Sequence, residues 1–249
     1  MLTETQENRY IRNTLLPEIG KEGQRKLLKA KVLVVGCGGL GSPVIYYLAA
    51  AGVGNLGIID NDEVELSNLQ RQILHNQNDL GTSKVISAKN KINALNDDIT
   101  ITTYQVRANM EELIEIGKNY DYIIDATDNF GSRFVINEYC FKHKKTLIFG
   151  AVKGFLGQVS VFRSWKGENP CYACFNPNIV GEDFSLPLKE KGILGAVAGS
   201  IGAMQATTTV KEILGIGESL VGKILISDFL NNKYRVTNLK KSRSCQICR

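Results

Sequence analysis

The run KVLVVGCGGLGS at residues 31–42 constrains the fold more than any other stretch of the chain. Its first five positions are dominated by β-branched and aliphatic residues, as in a strand buried on both faces of a parallel sheet. The glycines that follow let the backbone turn sharply and approach a polyphosphate, whose charge then sits on the N–H groups that open the next helix. Pro43 falls in the first turn of a helix predicted over 43–51, and Gly52 stands at its end. Asp60 closes the next apolar run, 56–60, where an acidic side chain accepts hydrogen bonds from ribose hydroxyls. A nucleotide site at the glycine turn is the first expectation.

The alternation continues along the chain. Helices are predicted over 83–96, 110–118 and 132–143, and strands over 99–104, 122–125 and 146–151, with a polar, irregular stretch at 61–81. This order predicts an α/β fold, a Rossmann-like, doubly wound and mainly parallel sheet. Beyond residue 151 the pattern changes. Segments 157–162, 223–228 and 233–236 read as antiparallel additions, with a helix over 196–214 between them. Residues 4–28 read as amphipathic helices broken around 17–20, and 175–191, which contains Pro177 and Pro187, as an exposed crossing loop. One domain is expected over 1–249, made of N-terminal helices (1–28), a nucleotide-binding half (31–151) and a second half (152–249).

The chain has 249 residues, 43% of them hydrophobic, which suffices for a core of this kind. The net charge of +5 is too mild to point to nucleic acid. No run of 18 apolar residues occurs and the first residues are polar, so neither a membrane span nor a secretory signal is expected, and the protein reads as soluble and cytoplasmic.

Four of the six cysteines form two Cys-x-x-Cys pairs, Cys171 with Cys174 and Cys245 with Cys248. Each pair puts two thiolates on one knuckle, and two knuckles supply the four soft ligands of a tetrahedral structural zinc. Disulfides are not expected without a secretory signal, and a redox motif would not need the second copy. Cys37 and Cys140 fall in predicted core elements as small hydrophobes. Only His75 and His143 are present, which excludes multi-histidine metal sites.

A glycine turn with a downstream acid also suits a dinucleotide dehydrogenase, which further needs a proton-transfer residue. ATP chemistry instead needs cations around the triphosphate. Arg71 and Lys84 follow the second strand, and Asn68 can orient phosphate oxygens. Asp125-Ala-Thr-Asp128-Asn129 ends the fourth strand, where ligands of open sheets bind. A carboxylate there suits magnesium, or else caps the next helix.

Taken together, Arg9-Tyr-Ile-Arg12, GCGGLGS at 36–42, AGVGNLGIIDNDEVELSNLQRQ at 51–72, DATDN at 125–129 and the paired Cys-x-x-Cys resemble the MoeB/ThiF/HesA family over nearly the whole chain. These are bacterial relatives of ubiquitin-activating enzymes, and the type resembled most is MoeB. The resemblance implies an adenylyltransferase that uses ATP and Mg2+ to activate the C-terminal carboxylate of a ubiquitin-like sulfur-carrier protein ending in Gly-Gly, releasing pyrophosphate, for molybdopterin or thiamine-thiazole sulfur transfer. It implies roles by position. Gly36, Gly38, Gly39 and Gly41 would line the phosphates, and Asp60 would hold the ribose. Asp62, Asn68, Arg71, Gln72, Lys84, Asp128 and Asn129 complete the nucleotide site, with Arg71 and Lys84 stabilising transition-state charge and Asp128 binding the magnesium. Arg12 would reach the other subunit of a homodimer. Residues 152–249 become the carrier-binding and Zn2+ half, with 175–191 covering the carrier's tail.

One departure matters. ThiF-type members carry a cysteine in that loop which links covalently to the carrier, and here no cysteine occurs between Cys174 and Cys245; Leu188 stands near the place. The chain is therefore expected to adenylylate the carrier and leave sulfur delivery to a separate sulfurtransferase or cysteine desulfurase. The rival readings are an NAD-dependent oxidoreductase, a zinc-containing adaptor without catalysis, and an adenylylating enzyme that acts on a tRNA base. The retained charged set and the paired knuckles favour the sulfur-carrier reading over all three.

Overall fold

A computed structural model describes residues 1–177 and 192–249. The hydrophobic runs become a single sheet of eight strands. In chain order these are β1 (Lys31–Val35), β2 (Asn55–Ile59), β3 (Thr100–Tyr104), β4 (Tyr122–Asp125), β5 (Thr146–Lys153), β6 (Leu156–Phe162), β7 (Lys223–Asp228) and β8 (Lys233–Asn238). Their spatial order is β3-β2-β1-β4-β5-β6-β7-β8. Pairings from β3 to β5 are parallel, and those from β5 to β8 are antiparallel. The expected extension of a parallel core by antiparallel strands is thus realised, and β5 belongs to both halves.

The helices are α1 (Glu4–Arg9), α2 (Ile11–Thr14), α3 (Gly20–Lys29), α4 (Gly41–Ala50), α5 (Lys84–Leu95), α6 (Met110–Gly117), α7 (Phe130–Lys142), α8 (Tyr172–Phe175) and α9 (Gly195–Leu214). Side chains alternate across a strand, so β1 feeds two cores at once. Val32 and Val34 pack with α3, α4, α5 and α9 through Leu27, Val44, Leu48, Ile92 and Ile201. Leu33 and Val35 pack on the other face with α6 and α7 through Leu113, Ile116, Ile136 and Tyr139. Burying each aliphatic side chain of this kind stabilises the fold by roughly 1.5–3 kcal/mol. That is why the strand reads as continuous hydrophobicity instead of alternation.

Helix ends follow local chemistry. Thr3 and Gln6 form a capping box on α1, and Asn129 accepts the Ser132 N–H to cap α7. Gly215 closes α9 in the left-handed conformation at φ 69°. Element ends shift by one or two residues from the sequence expectation, as in α4, α7 and β8, and further differences have local causes. The hairpin joining β5 and β6 is tighter, because Gly154 at φ 60° turns the chain in place and lets both strands run further. Within the irregular stretch, two single-turn 3-10 helices form at Leu66–Asn68 and Gln77–Asp79, each closed by side-chain hydrogen bonds. A four-residue helix, α8, follows Cys171. Of the expected crossing loop, residues 178–191 lie outside the described residues. Among the described residues no helix is long and apolar enough to cross a membrane.

Candidate active site

The strand order reverses between β1 and β4, and neighbouring connections there leave to opposite faces of the sheet. A crevice must open beyond the carboxyl ends of such strands. It does so here, with a volume of about 360 Å³, and the turns after β1, β2, β3 and β4 all reach it.

The glycine turn forms the floor. Gly36 sits at φ 100°, where a side chain would be strained, and a Cβ there would lie 2.7 Å from the Ala126 carbonyl oxygen. Gly38 and Gly39 also line the crevice. Gly41 does not. A Cβ on it would fall 2.0 Å from the Gly36 carbonyl oxygen, so its part is to let α4 start hard against the turn.

Asp60 ties this floor to the neighbouring wall. One carboxylate oxygen accepts the Cys37 N–H at 2.7 Å and the other accepts the Asp62 N–H at 2.9 Å. Burial pushes its carboxyl above the usual range, against the pull of Lys84 and those two N–H groups. Each oxygen keeps a lone pair for a hydroxyl in the crevice.

The cations meet at the same end. Lys84 opens α5, is 5% exposed, and donates from Nζ to the Asp62 carboxylate at 2.9 Å. Arg71 lines the crevice and donates to the Ser67 carbonyl at 3.0 Å. Gln72 lies beside it, buried, with Oε1 lacking a hydrogen-bond partner. A buried orphan acceptor in a crevice wall marks a place where a ligand donor fits. Asn68 is buried and its amide is spent locally, accepting the Glu65 N–H and donating to Ser67, so it closes its turn and does not line the crevice.

The opposite wall is the turn after β4. Asp125 is buried and accepts from the Thr127 N–H at 3.0 Å and the Thr127 hydroxyl at 2.7 Å. Burial raises its pKa, which Arg133 and Thr127 oppose. Of the two aspartates, Asp125 holds the turn and Asp128 is presented at the crevice. Asp128 is exposed and has no hydrogen-bond or ion-pair partner among the described residues. A free carboxylate beside such a glycine-turn floor is a suitable hard-oxygen donor for magnesium. Asn129 lines the crevice while capping α7.

Two crevice residues were missed from sequence. Arg107 follows β3. Arg133, on α7, donates to the Thr127 carbonyl at 2.9 Å, and its guanidinium lies 5.6 Å from the centroid of both Phe130 and Phe149. Neither arginine sits in a spacing pattern that would single it out. Arg12 is exposed on α2 and does not line this crevice.

The four cysteines converge elsewhere. The four sulfurs lie within 4.8 Å of one another, with separations of 3.6 Å for Cys171–Cys245, 3.9 Å for Cys171–Cys174 and 3.4 Å for Cys174–Cys248. Four thiolates at about 2.3 Å from a tetrahedral zinc would be roughly 3.8 Å apart, so spacing and donor chemistry both fit. Phe134, Phe141 and Ile247 pack around them, and Asn137 of α7 accepts the Tyr172 N–H at 2.9 Å. Cys37 and Cys140 are buried, at 0% and 3% exposure, away from this cluster.

Comparison with known proteins adds to this geometry. A family model described as the ThiF family matches residues 10–248. The sulfur carrier protein adenylyltransferase of Thermus thermophilus is 39% identical over 249 residues, covering 99% of this chain and 92% of that protein. The adenylyltransferase and sulfurtransferase MOCS3 of Culex quinquefasciatus is 42% identical over 241 residues, covering 96% of this chain but 55% of that protein. The chain thus spans about half the length of relatives of that second kind. Among solved structures, E. coli MccB crystallised with ATP matches with a TM-score of 0.85 at 26% identity, over 99% of this chain and 75% of MccB.

Proposed function

The chain belongs to the ThiF family, and from that premise we propose that it adenylylates the C-terminal carboxylate of a ubiquitin-like sulfur-carrier protein ending in Gly-Gly, at the expense of ATP. The observation that carries the reading is the unpaired Asp128 carboxylate in one crevice with Lys84, Arg71 and the glycine turn. The name of the Thermus relative supports the sulfur-carrier class of substrate, and that of the mosquito relative supports adenylyl transfer.

The chemistry joins two anions, so the site must be rich in cations and must shed the negative charge of a leaving group. A carboxylate oxygen attacks the α-phosphorus, the bond to the bridging oxygen breaks, and pyrophosphate departs with that electron pair. Asp60 would accept from the ribose. The N–H groups of the glycine turn would bind phosphate oxygens. Lys84 and Arg71 would exchange their present partners, Asp62 and the Ser67 carbonyl, for the triphosphate, with the amide N–H groups of Gln72 and Asn129 donating from the walls and Gln72 Oε1 left to accept from a hydroxyl or amino group of the nucleotide. Asp128 would hold magnesium, which supplies charge neutralisation on the phosphates when bound. A Gly-Gly tail suits this approach because it threads where side chains would collide.

Zinc on Cys171, Cys174, Cys245 and Cys248 would be structural, since four protein ligands leave no open position. With the remaining cysteines buried, sulfur delivery falls to a separate sulfurtransferase or cysteine desulfurase, in the cytoplasm. We assign Arg12 to the crevice of the partner subunit in a homodimer. Mixing Arg12→Ala with Arg71→Ala chains should then restore part of the activity that each lacks alone, and no recovery would remove the trans role.

The deciding experiment is magnesium-dependent ATP–pyrophosphate exchange with a panel of Gly-Gly carriers and a control without carrier. Exchange with one carrier supports the reading and separates the molybdopterin from the thiazole pathway; exchange with two means a shared activator. ATP binding without exchange for any carrier would overturn it and direct the search to another carboxylate, a tRNA base included.

A further inference from the structure

His75 is buried beneath the glycine turn, 5% exposed, and none of the roles above uses it. Its Nε2 lies 3.1 Å from the Cys37 carbonyl oxygen and its Nδ1 lies 2.8 Å from the Ser87 hydroxyl. A carbonyl can only accept, so Nε2 carries the proton and Nδ1 accepts from Ser87. Burial favours this neutral form by lowering the imidazole pKa. The ring therefore spans from the glycine turn to α5, three residues beyond Lys84 in sequence. A second tie joins the same elements, because the Cys37 thiol points at the Lys84 carbonyl at 3.7 Å.

The consequence lies in one peptide plane. In a trans peptide the carbonyl and the following N–H point in opposite directions, and the chain has no cis bonds among its described residues. The carbonyl of Cys37 is drawn down into the core by His75, so the N–H of Gly38 is turned up, away from the core. Gly38 lines the crevice, and its N–H has no hydrogen-bond partner among the described residues. Asp60 fixes the preceding peptide of Cys37 by its N–H at 2.7 Å. Two consecutive peptides are thus oriented by two different side chains, and only the second faces its N–H to the site. Glycine at 38 is soft about φ and ψ, so without an anchor this peptide could flip and present a carbonyl oxygen to the phosphates.

We propose that His75 is a positioning residue that locks the Cys37–Gly38 peptide with its N–H toward the crevice, making it a pre-oriented donor to a phosphate oxygen of the nucleotide. This rests on the adenylyltransferase reading for the identity of the ligand. The role is invisible to a motif search, because it depends on a side chain that touches no substrate.

Isothermal titration of the full chain with ATP and with adenosine tests it. In His75→Leu the ATP affinity should fall about tenfold, the worth of one hydrogen bond to a charged oxygen, while adenosine affinity, set by Asp60 and the apolar walls, stays within about twofold. In His75→Gln, whose side-chain amide reaches the position of Nε2, ATP affinity should return to within about threefold of the parent. Should the leucine variant fail to fold, His75→Asn replaces it, since its shorter amide falls short of the carbonyl while remaining polar. Equal ATP affinity in the parent and a folded leucine or asparagine variant overturns the proposal, as does a parallel loss of ATP and adenosine, which would mark general loosening. If the parent itself fails to bind ATP, the functional reading falls and this inference with it. A parent that binds ATP beside insensitive variants removes this inference alone.

Discussion

The crevice and the cysteine cluster are built on opposite principles. At the cysteines, four like donors from two distant stretches of chain meet within 4.8 Å, with weak N–H donors such as that of Ser242 to Cys174 Sγ at 3.4 Å as their other partners. In the crevice the functional groups are already occupied. Lys84 is paired with Asp62, Arg71 with a carbonyl, and Asp60 with two N–H groups. Among the described residues Asp128, the Gly38 N–H and Gln72 Oε1 stand free. If the cysteines hold a metal and the crevice a nucleotide, as proposed, the permanent site would be completed only by its cargo, so that binding is folding. The site that turns over would be mostly satisfied internally, so that most ligand contacts replace existing ones and release remains possible.

The sharpest break between the two regions is Asp128→Ala. Pyrophosphate exchange should fall by about 10³-fold, in line with losing a major electrostatic element of phosphoryl chemistry, with thermal stability unchanged because the side chain is exposed and unpartnered. Undiminished exchange would sink its role. The converse experiment is metal removal by a chelator or Cys248→Ser. Stability should drop by about 3 kcal/mol, or roughly 10 °C in Tm, while residual folded protein still binds ATP. Metal analysis of purified protein that finds no zinc would overturn the site. Arg133→Met should blur the comparison, since this side chain holds the Asp128 turn and stacks on Phe149, which in turn lies 5.0 Å from Tyr172 beside the cysteines. It also leaves Asp125 buried without a cation, so a stability loss of about 2 kcal/mol is expected together with a severalfold fall in exchange, read by denaturant melts and kinetics on the same samples.

The smallest effect is in pH. Burial holds the His75 imidazole below its ordinary value of 6.5, so the unfolded chain takes up that proton first as pH falls. Stability from this group is complete above 6.5 and is lost below it, until the folded imidazole also protonates. Comparing denaturant melts from pH 7 to pH 5, His75→Gln should show the shallower acid loss; matching slopes would mean the imidazole is not shifted.

Much of this was legible in the sequence where chemistry repeats at fixed spacing. Strand and helix alternation fixed the parallel half, because a buried strand needs five apolar residues in a row and its helix needs a glycine or a cap. The cysteine pairs were legible because two ligands three residues apart have few other uses. The contributions of Arg107, Arg133 and His75 were not legible, since a single arginine or histidine carries no period and its role exists only after the sheet brings distant turns together. Gly41 and Asn68 show the reverse. Both belong to recognisable motifs, yet the structure uses Gly41 to seat a helix and Asn68 to close a turn. Motif membership located the neighbourhood of the site without separating the residues that meet the ligand from those that shape its walls.

The placement of the cysteines has a topological consequence. With a metal on all four thiolates, residues 175–244 form a closed loop that contains α9, β7 and β8. A single cut in that loop ahead of β7 would leave both fragments tethered through the metal and through their shared sheet. Such a nicked chain would run as one particle in native sizing and as two bands under denaturation, and a chelator would strip it of the tether but not of the strand pairing. A metal there would therefore act as a clasp on the strands that extend the sheet, guarding connectivity that covalent bonds alone would otherwise have to supply.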